Sequence, residues 1–362
     1  MMTGMPTDPP RRARVRRKPN RSRRALIVSL CILLGLGAVG VGGVWGIQQW
    51  LTGRVEKIDD PFEALPTRPA APTPAATAAG EDWQAPMNLL LLGSDSRISA
   101  GDPTQWQAGA QRTDTIMLVH LPADGESAYV MSIPRDSWVD VPGHGQAKIN
   151  AAFSYGGPTL MIQTVEQLTG VRIDHFAVAD FESFSAITDA MGGVRITLDK
   201  DLEVGDTVVP AGKQQLLTGE QALRWVRERK TLARGDFDRV QRQQAWIRAM
   251  VARMRNEGTL SNPVKSVPFL KAVGDSVATD PGLDDGVMAQ LQNMAKNLAS
   301  TDIAFFTVPT DGTGRSPDGK QSIVVLDEPA LATLMTAVAG DTVDEYLATN
   351  AGDVDVLPPV VE

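Results

Sequence analysis

The longest uncharged apolar run of the chain extends from Ala25 to about Ile47. Roughly 20 apolar residues at 1.5 Å each cross a bilayer core, so this run predicts one transmembrane helix. A cleaved leader would have an apolar core of about 7–15 residues with a small-residue cleavage site directly behind it. Here the run ends instead in Trp45, Gln48, Gln49 and Trp50, side chains suited to an interfacial anchor.

Further along, the apolar stretches shorten. MNLLLLG (87–93) is a continuous run that stops at glycine, as a buried strand does. TDTIMLVHL (113–121), SAYVMSIP (127–134), HFAVADF (175–181), VRITL (194–198), IAFFTVP (303–309) and SIVVL (322–326) predict further strands. Helical spacing links Leu160, Val165 and Leu168 up to Gly170, and FSAITDAMGG (184–193) also reads as helix. Thr218 and Gln221 have capping-box spacing ahead of LTGEQAL. A long helix is predicted from about Phe237 to Arg255, with Val240, Ile247, Val251 and Met254 as its core stripe. Helices near 283–298 and 329–338 complete the pattern. Mixed strands and helices of this kind predict a single α/β domain over 86–340. Between anchor and domain, residues 48–85 carry Pro61, Pro66, Pro69, Pro72 and Pro74 among Ala and Thr, which reads as an extended stalk. Residues 341–362, acidic and proline-tipped, read as a loose tail.

Charge gives this layout a direction. The net charge of −8 conceals nine basic residues against Asp8 in residues 1–24. That stub is +8, the apolar run is neutral, and everything beyond it is therefore −16. Lys and Arg favour the cytoplasmic side, which places the stub inside and the domain outside the cell membrane. Twenty-four residues are too few for a folded nucleic-acid-binding domain, and a basic stub beside a bilayer is explained by topology and anionic lipid. Cys31, the single cysteine, lies within the apolar run, so the outer domain has no disulfide and must hold together by packing. Three histidines without an HExxH pattern exclude a Cys/His zinc cluster. Gly35-x-Gly37-x-x-Gly40 matches a dinucleotide fingerprint by letter only, because no strand precedes it.

Candidate chemistry gathers at predicted strand ends. GSDSR places Asp95 and Arg97 after one strand, and RTDT places Arg112 and Asp114 before the next. If those strands are neighbours, the two carboxylates approach each other, and hard oxygens of this kind hold Mg²⁺ on a substrate phosphate. Each aspartate could equally pair with its nearby arginine in a surface turn. Basic residues follow: Arg135 at a strand exit, then Lys148 and Asn150 in KIN. Residues 224–255 hold ten basic side chains against Glu228, Asp236 and Asp238, with Glu257 just beyond. Arg227 and Arg229 are two apart and point the same way if extended. Asp236, Arg239 and Gln243 share a helix face, whereas solvated helix charge suffices for Arg248, Arg253 and Arg255. Nine of the ten are arginine, whose forked guanidinium suits phosphate oxygens.

GSDSR (93–97), RTDT (112–115), SIPRDSWVDVPG (132–143), KINAAFSYGGP (148–158), residues 164–194 and the LTGEQALRWVRERK…GDFDRVQRQQ block (217–244) closely resemble the LytR-CpsA-Psr family. The resemblance implies a type II membrane protein with a mixed central sheet flanked by helices, a hydrophobic tunnel for a polyprenyl chain and a polar mouth for its pyrophosphate. It implies Mg²⁺-dependent transfer of a teichoic acid, arabinogalactan or capsular polymer from a polyprenyl-pyrophosphate carrier to peptidoglycan. By motif, Asp95 and Asp114 would hold the metal. Arg135, Arg227, Arg229, Arg239 and Gln243 would grip the pyrophosphate, Asp236 would orient the arginines, and Arg97, Lys148 and Asn150 would support substrate binding. Trp225 and His175 depart from the family's usual residues, and Asp238 replaces a frequent glycine. Two rival readings are a lipid-pyrophosphate hydrolase using the same site and a non-enzymatic envelope regulator that binds lipid.

Overall fold

The computed structural model describes residues 56–71, 85–94, 113–228, 232–257, 263–275, 277–298 and 301–358. The predicted anchor and basic stub lie outside these residues, as do Asp95, Arg97, Arg112 and Arg229. Among the described residues, no helix is long and apolar enough to cross a membrane.

Eight strands form the central sheet: β1 (Glu56–Lys57), β2 (Met87–Ser94), β3 (Thr113–Leu121), β4 (Ala128–Ser132), β7 (His175–Asp180), β12 (Val277–Thr279), β13 (Ile303–Thr307) and β16 (Asp355–Val356). Their order is β1-β12-β7-β2-β3-β4-β13-β16. Two-stranded pairs supply the rest: β5 (Trp138–Val141) with β6 (Gly145–Lys148), β8 (Val194–Leu198) with β11 (Gly212–Leu217), β9 (Leu202–Val204) with β10 (Thr207–Val209), and β14 (Thr310–Arg315) with β15 (Ser322–Leu326). The described helices are α1 (Asn150–Thr169), α2 (Phe181–Ala190), α3 (Gly219–Arg227), α4 (Asp236–Asn256), α5 (Pro263–Gly274), α6 (Asp285–Asn297), α7 (Glu328–Ala339) and α8 (Val343–Asn350).

Helices cover both faces of the sheet, which is why its central strands read as unbroken apolar runs. On β3, Ile116 and Leu118 join the core beneath α1, α7 and α8, while Met117 and Val119 join the core beneath α2, α3 and α4. β2 runs parallel to β7, β4 runs parallel to β13, and β3 lies antiparallel between β2 and β4. The carboxyl ends of β2, β4, β7 and β13 therefore share one edge with the start of β3. Open α/β sheets bind ligands outside that edge.

Both predicted boundaries of the domain move outward. Residues 56–71 pack rather than forming a stalk: β1 pairs with β12, Ile58 is buried, and Phe62 and Leu65 lie against the same core. Lys57 Nζ donates to Leu283 O at 2.6 Å, and Arg68 Nη2 meets the buried Glu166 carboxylate at 2.7 Å. Proline content masks the apolar repeat of Ile58, Phe62 and Leu65. The predicted tail is ordered through α8 and β16, with Val343, Tyr346 and Leu357 buried. Two further readings change. α1 begins at Asn150, well before the Leu160 from which the helical spacing is read, its first turns hidden by a kink at Gly156 and Gly157. Only Val240 of the expected α4 stripe is fully buried, because residues 238–245 are buried on every side of that helix.

Candidate active site

Asp114 owes its position to an irregularity. β2 and β3 pair with Gly93 opposite Thr115 and Ser94 opposite Thr113, so Asp114 is an extra residue on its strand. Such a bulge re-aims one side chain out of the ladder. The same register sets the end of β2 beside the start of β3, which meets the condition on which the paired-carboxylate reading of the GSDSR and RTDT motifs depended. Gly93 suits this close approach: a Cβ there would lie 3.0 Å from Thr115 Cβ, a tight contact to which the threonine would have to yield.

Arg135 arrives from the exit of β4 and pairs with Asp114 through a short contact to Oδ1. Its Nε lies 3.6 Å from Asp236 Oδ1 and 3.9 Å from Asp136 Oδ2. Asp236 and Arg239 come from the first turn of α4. Arg239 Nη2 is 2.7 Å from Asp236 Oδ1, and its Nη1 is 3.5 Å from Asp114 Oδ1. Asp236 thus bridges the two guanidiniums from one side, and Asp114 does so from the other. Only 2% of the Arg239 side chain is exposed. Burial pushes the Arg135 guanidinium down, but Asp114, Asp236 and Asp136 outweigh it and raise its pKa, so the charge is secure.

The start of α4 is itself braced. Asp238 accepts from Arg234 N at 2.8 Å and from Arg234 Nε at 2.7 Å. Asp355, in the segment read as a tail, accepts from Arg234 Nη1 at 3.1 Å and Gln241 Nε2 at 3.0 Å. Gln244 donates to Ser132 Oγ at 2.8 Å and Phe306 O at 3.0 Å, locking the helix to β4 and β13. Gln243, two turns beyond Asp236, is buried with Oε1 lacking a hydrogen-bond partner among the described residues, as is Asp236 Oδ2. Buried acceptors left open at a charged strand edge mark a place for a ligand's donors or a bound ion.

Lys148 enters through a residue the motif reading did not single out: its Nζ lies 3.1 Å from Asp136 Oδ1. Asp136 follows Arg135 directly within the SIPRDSWVDVPG motif, and that position is its signal in the sequence. Asn150 N donates to Arg135 O at 3.2 Å, which holds the KIN segment at the β4 exit. Arg227 is exposed as the last residue of α3, so it is helical rather than extended. Arg242 donates to Trp225 O at 3.1 Å and sits 5.1 Å over the Trp225 ring, tying that end of α3 to α4 three residues beyond Arg239. Arg253 is not merely solvated: it donates to Met191 O at 3.1 Å and Gly192 O at 3.2 Å behind α2. Arg255 likewise reaches Leu298 O. Among the described residues, no group of three His, Cys, Asp or Glu is placed to hold a metal. The motif pair for the metal includes Asp95, which lies outside them.

The mixed α/β sheet thus carries a carboxylate–arginine cluster outside its strand ends. The LytR_cpsA_psr family model matches residues 65–339, and the chain belongs to this family. The chain is 39% identical over 251 residues to the probable cell wall biosynthesis protein LcpB of Corynebacterium glutamicum, covering 67% of this chain and 56% of that one. It therefore spans little more than half of that relative. Over 248 residues it is 33% identical to the polyisoprenyl-teichoic acid–peptidoglycan teichoic acid transferase TagU of Oceanobacillus iheyensis, covering 67% and 72% of the two chains. Among solved structures it resembles B. subtilis TagV, with a TM-score of 0.58 and 26% identity over 71% of this chain and 97% of that one.

Proposed function

We propose that this chain is a membrane-anchored, extracytoplasmic transferase that moves a glycopolymer from a polyprenyl-pyrophosphate carrier to peptidoglycan. The observation that carries the proposal is the cluster of Asp114, Arg135, Asp236 and Arg239: two preorganised guanidiniums at a sheet edge, in a chain related to a named teichoic acid transferase. An apolar core with many half-buried side chains, among them Leu91, Phe184, Trp246, Ile247 and Met250, lies behind the cluster and suits a polyprenyl tail.

In this reading Arg135 and Arg239, with Arg227, Arg229 and Gln243, hold the pyrophosphate oxygens, and Arg97, Lys148 and Asn150 support them. Positioning and charge stabilisation are the main demands of phosphoryl transfer. The acceptor hydroxyl forms a bond to the phosphorus next to the polymer, and the bond from that phosphorus to the bridging oxygen breaks. Polyprenyl phosphate leaves with the electron pair. A carboxylate at this edge accepts the hydroxyl proton. The hard oxygens of Asp114 and Asp95 suit Mg²⁺, which would neutralise charge on the departing oxygen.

The test uses the full chain in liposomes with a short polyprenyl-pyrophosphate glycan, with and without peptidoglycan and Mg²⁺. Polyprenyl phosphate release and wall-fixed glycan are measured together. Fixed glycan that requires Mg²⁺ is expected. Release without fixation would replace the transferase by a hydrolase, and lipid bound without either product would leave a binding protein.

A further inference from the structure

The β5–β6 hairpin leads directly away from the charged cluster. Trp138 pairs with Lys148, and Asp140 pairs with Gln146. Residues directly opposite one another, and those two apart, share one face of an antiparallel ribbon. Lys148, Trp138, Gln146 and Asp140 therefore form one track that begins beside Asp136 and Arg135. The opposite face is core, with Val139 and Val141 buried.

Trp138, Gln146 and Asp140 of that track form one wall of a cleft of about 840 Å³ between the hairpin, the end of α1 and α7. Trp138 Nε1 donates to Gln146 Oε1 at 3.1 Å, which fixes the indole, and Gln167 Nε2 donates to Asp140 Oδ2 at 3.1 Å. Leu331 and Met335 are buried beneath the cleft. Its charged lining residues are Asp140 and Glu328, with no Lys, Arg or His among the described residues. The cleft would therefore repel a phosphate chain, which separates it from the basic site next door. A flat aromatic face with amides and carboxylates suits the C–H face and hydroxyls of an uncharged sugar.

We infer that this cleft binds an uncharged stretch of glycan and delivers an acceptor hydroxyl to the Arg135 cluster. The inference rests on the transferase reading and adds where its second substrate lies. Trp138 is the principal contact, with Gln146 and Asp140 as hydrogen-bonding partners.

The probe is chitotetraose, an uncharged N-acetylglucosamine oligomer, read by saturation-transfer NMR on the full chain in nanodiscs. Binding by the wild type is expected, weakened about tenfold by Trp138→Ala and largely restored by Trp138→Phe. Gln146→Ala provides a second, milder lesion should the first variant fold poorly. Arg135→Ala should bind the oligomer as the wild type does. Equal binding by wild type, Trp138→Ala and Gln146→Ala, or no binding by the folded wild type, would overturn the cleft. Displacement by an uncapped peptidoglycan stem peptide but not by other saccharides would overturn the sugar assignment. A separate arm measures fixed glycan: none fixed with oligomer still bound would sink the transferase reading and leave the sugar site standing.

Discussion

At the residue scale, the site is a small set of charges whose positions depend on one bulge. Gly93→Ala would place a methyl 3.0 Å from Thr115 Cβ and push on the backbone that aims Asp114. We expect this variant to lose most transfer activity while its melting temperature falls by only a few degrees, roughly the effect of 1 kcal/mol. A melting loss with activity retained would contradict it. A second residue-scale prediction concerns the far end of β3. The Asp341 carboxylate would be raised by its burial, but the hydrogen bonds it accepts from the Nε2 of buried His120, at 3.0 Å, and from Ala123 N, at 3.1 Å, hold it below the usual carboxylate range. A carboxylate depressed in the folded state stabilises above its unfolded pKa and loses that stabilisation as pH falls through the folded value. Asp341→Asn should therefore melt earlier than wild type near pH 6, with the gap closing toward pH 3. Asn also tolerates the left-handed backbone at this position, φ 57°, so backbone strain does not confuse the comparison. A gap independent of pH would refute this account.

At the element scale, periodic apolar runs and caps were legible in the sequence, whereas features that depend on distant contacts were not. β3 occupies Thr113–Leu121 as its pattern indicates, and the Thr218–Gln221 capping box forms at α3. Both signals are local. The α4 stripe was misleading because polar residues at 238–245 are buried by other segments: Gln244 by β4 and β13, Gln241 by Asp355. No helical wheel contains those partners. Arg253 shows the same limit, since its carbonyl acceptors lie 61 and 62 residues away. Arg253→Ala should cost about 1–2 kcal/mol in denaturant unfolding while leaving transfer by the folded protein close to wild type. Loss of activity without loss of stability would move Arg253 into the site.

At the scale of the whole molecule, the domain is wider than its composition suggests. The candidate site could be located from motifs, because Arg135, Asp236 and Arg239 lie in compact sequence blocks, but its support could not. Residues 56–71 stitch to β12 and α1, and Asp355 braces the start of α4 from the other end of the chain. A chain beginning at Pro86 should thus melt well below one beginning at Leu51, since it loses buried Ile58 and leaves Glu166 buried without its Arg68 partner. Equal melting temperatures would restore the stalk reading for 56–71.

The central claim is that guanidiniums at this sheet edge act on a pyrophosphate, and their planar fork is the property it depends on. The most direct test measures wall-fixed glycan per folded protein for wild type, Arg135→Ala, Arg135→Lys and Arg253→Ala in the same liposomes. The account predicts losses of about 10²–10³ for Arg135→Ala, little rescue by lysine, and near-wild-type transfer by Arg253→Ala. Comparable activity in Arg135→Ala and Arg253→Ala would contradict it.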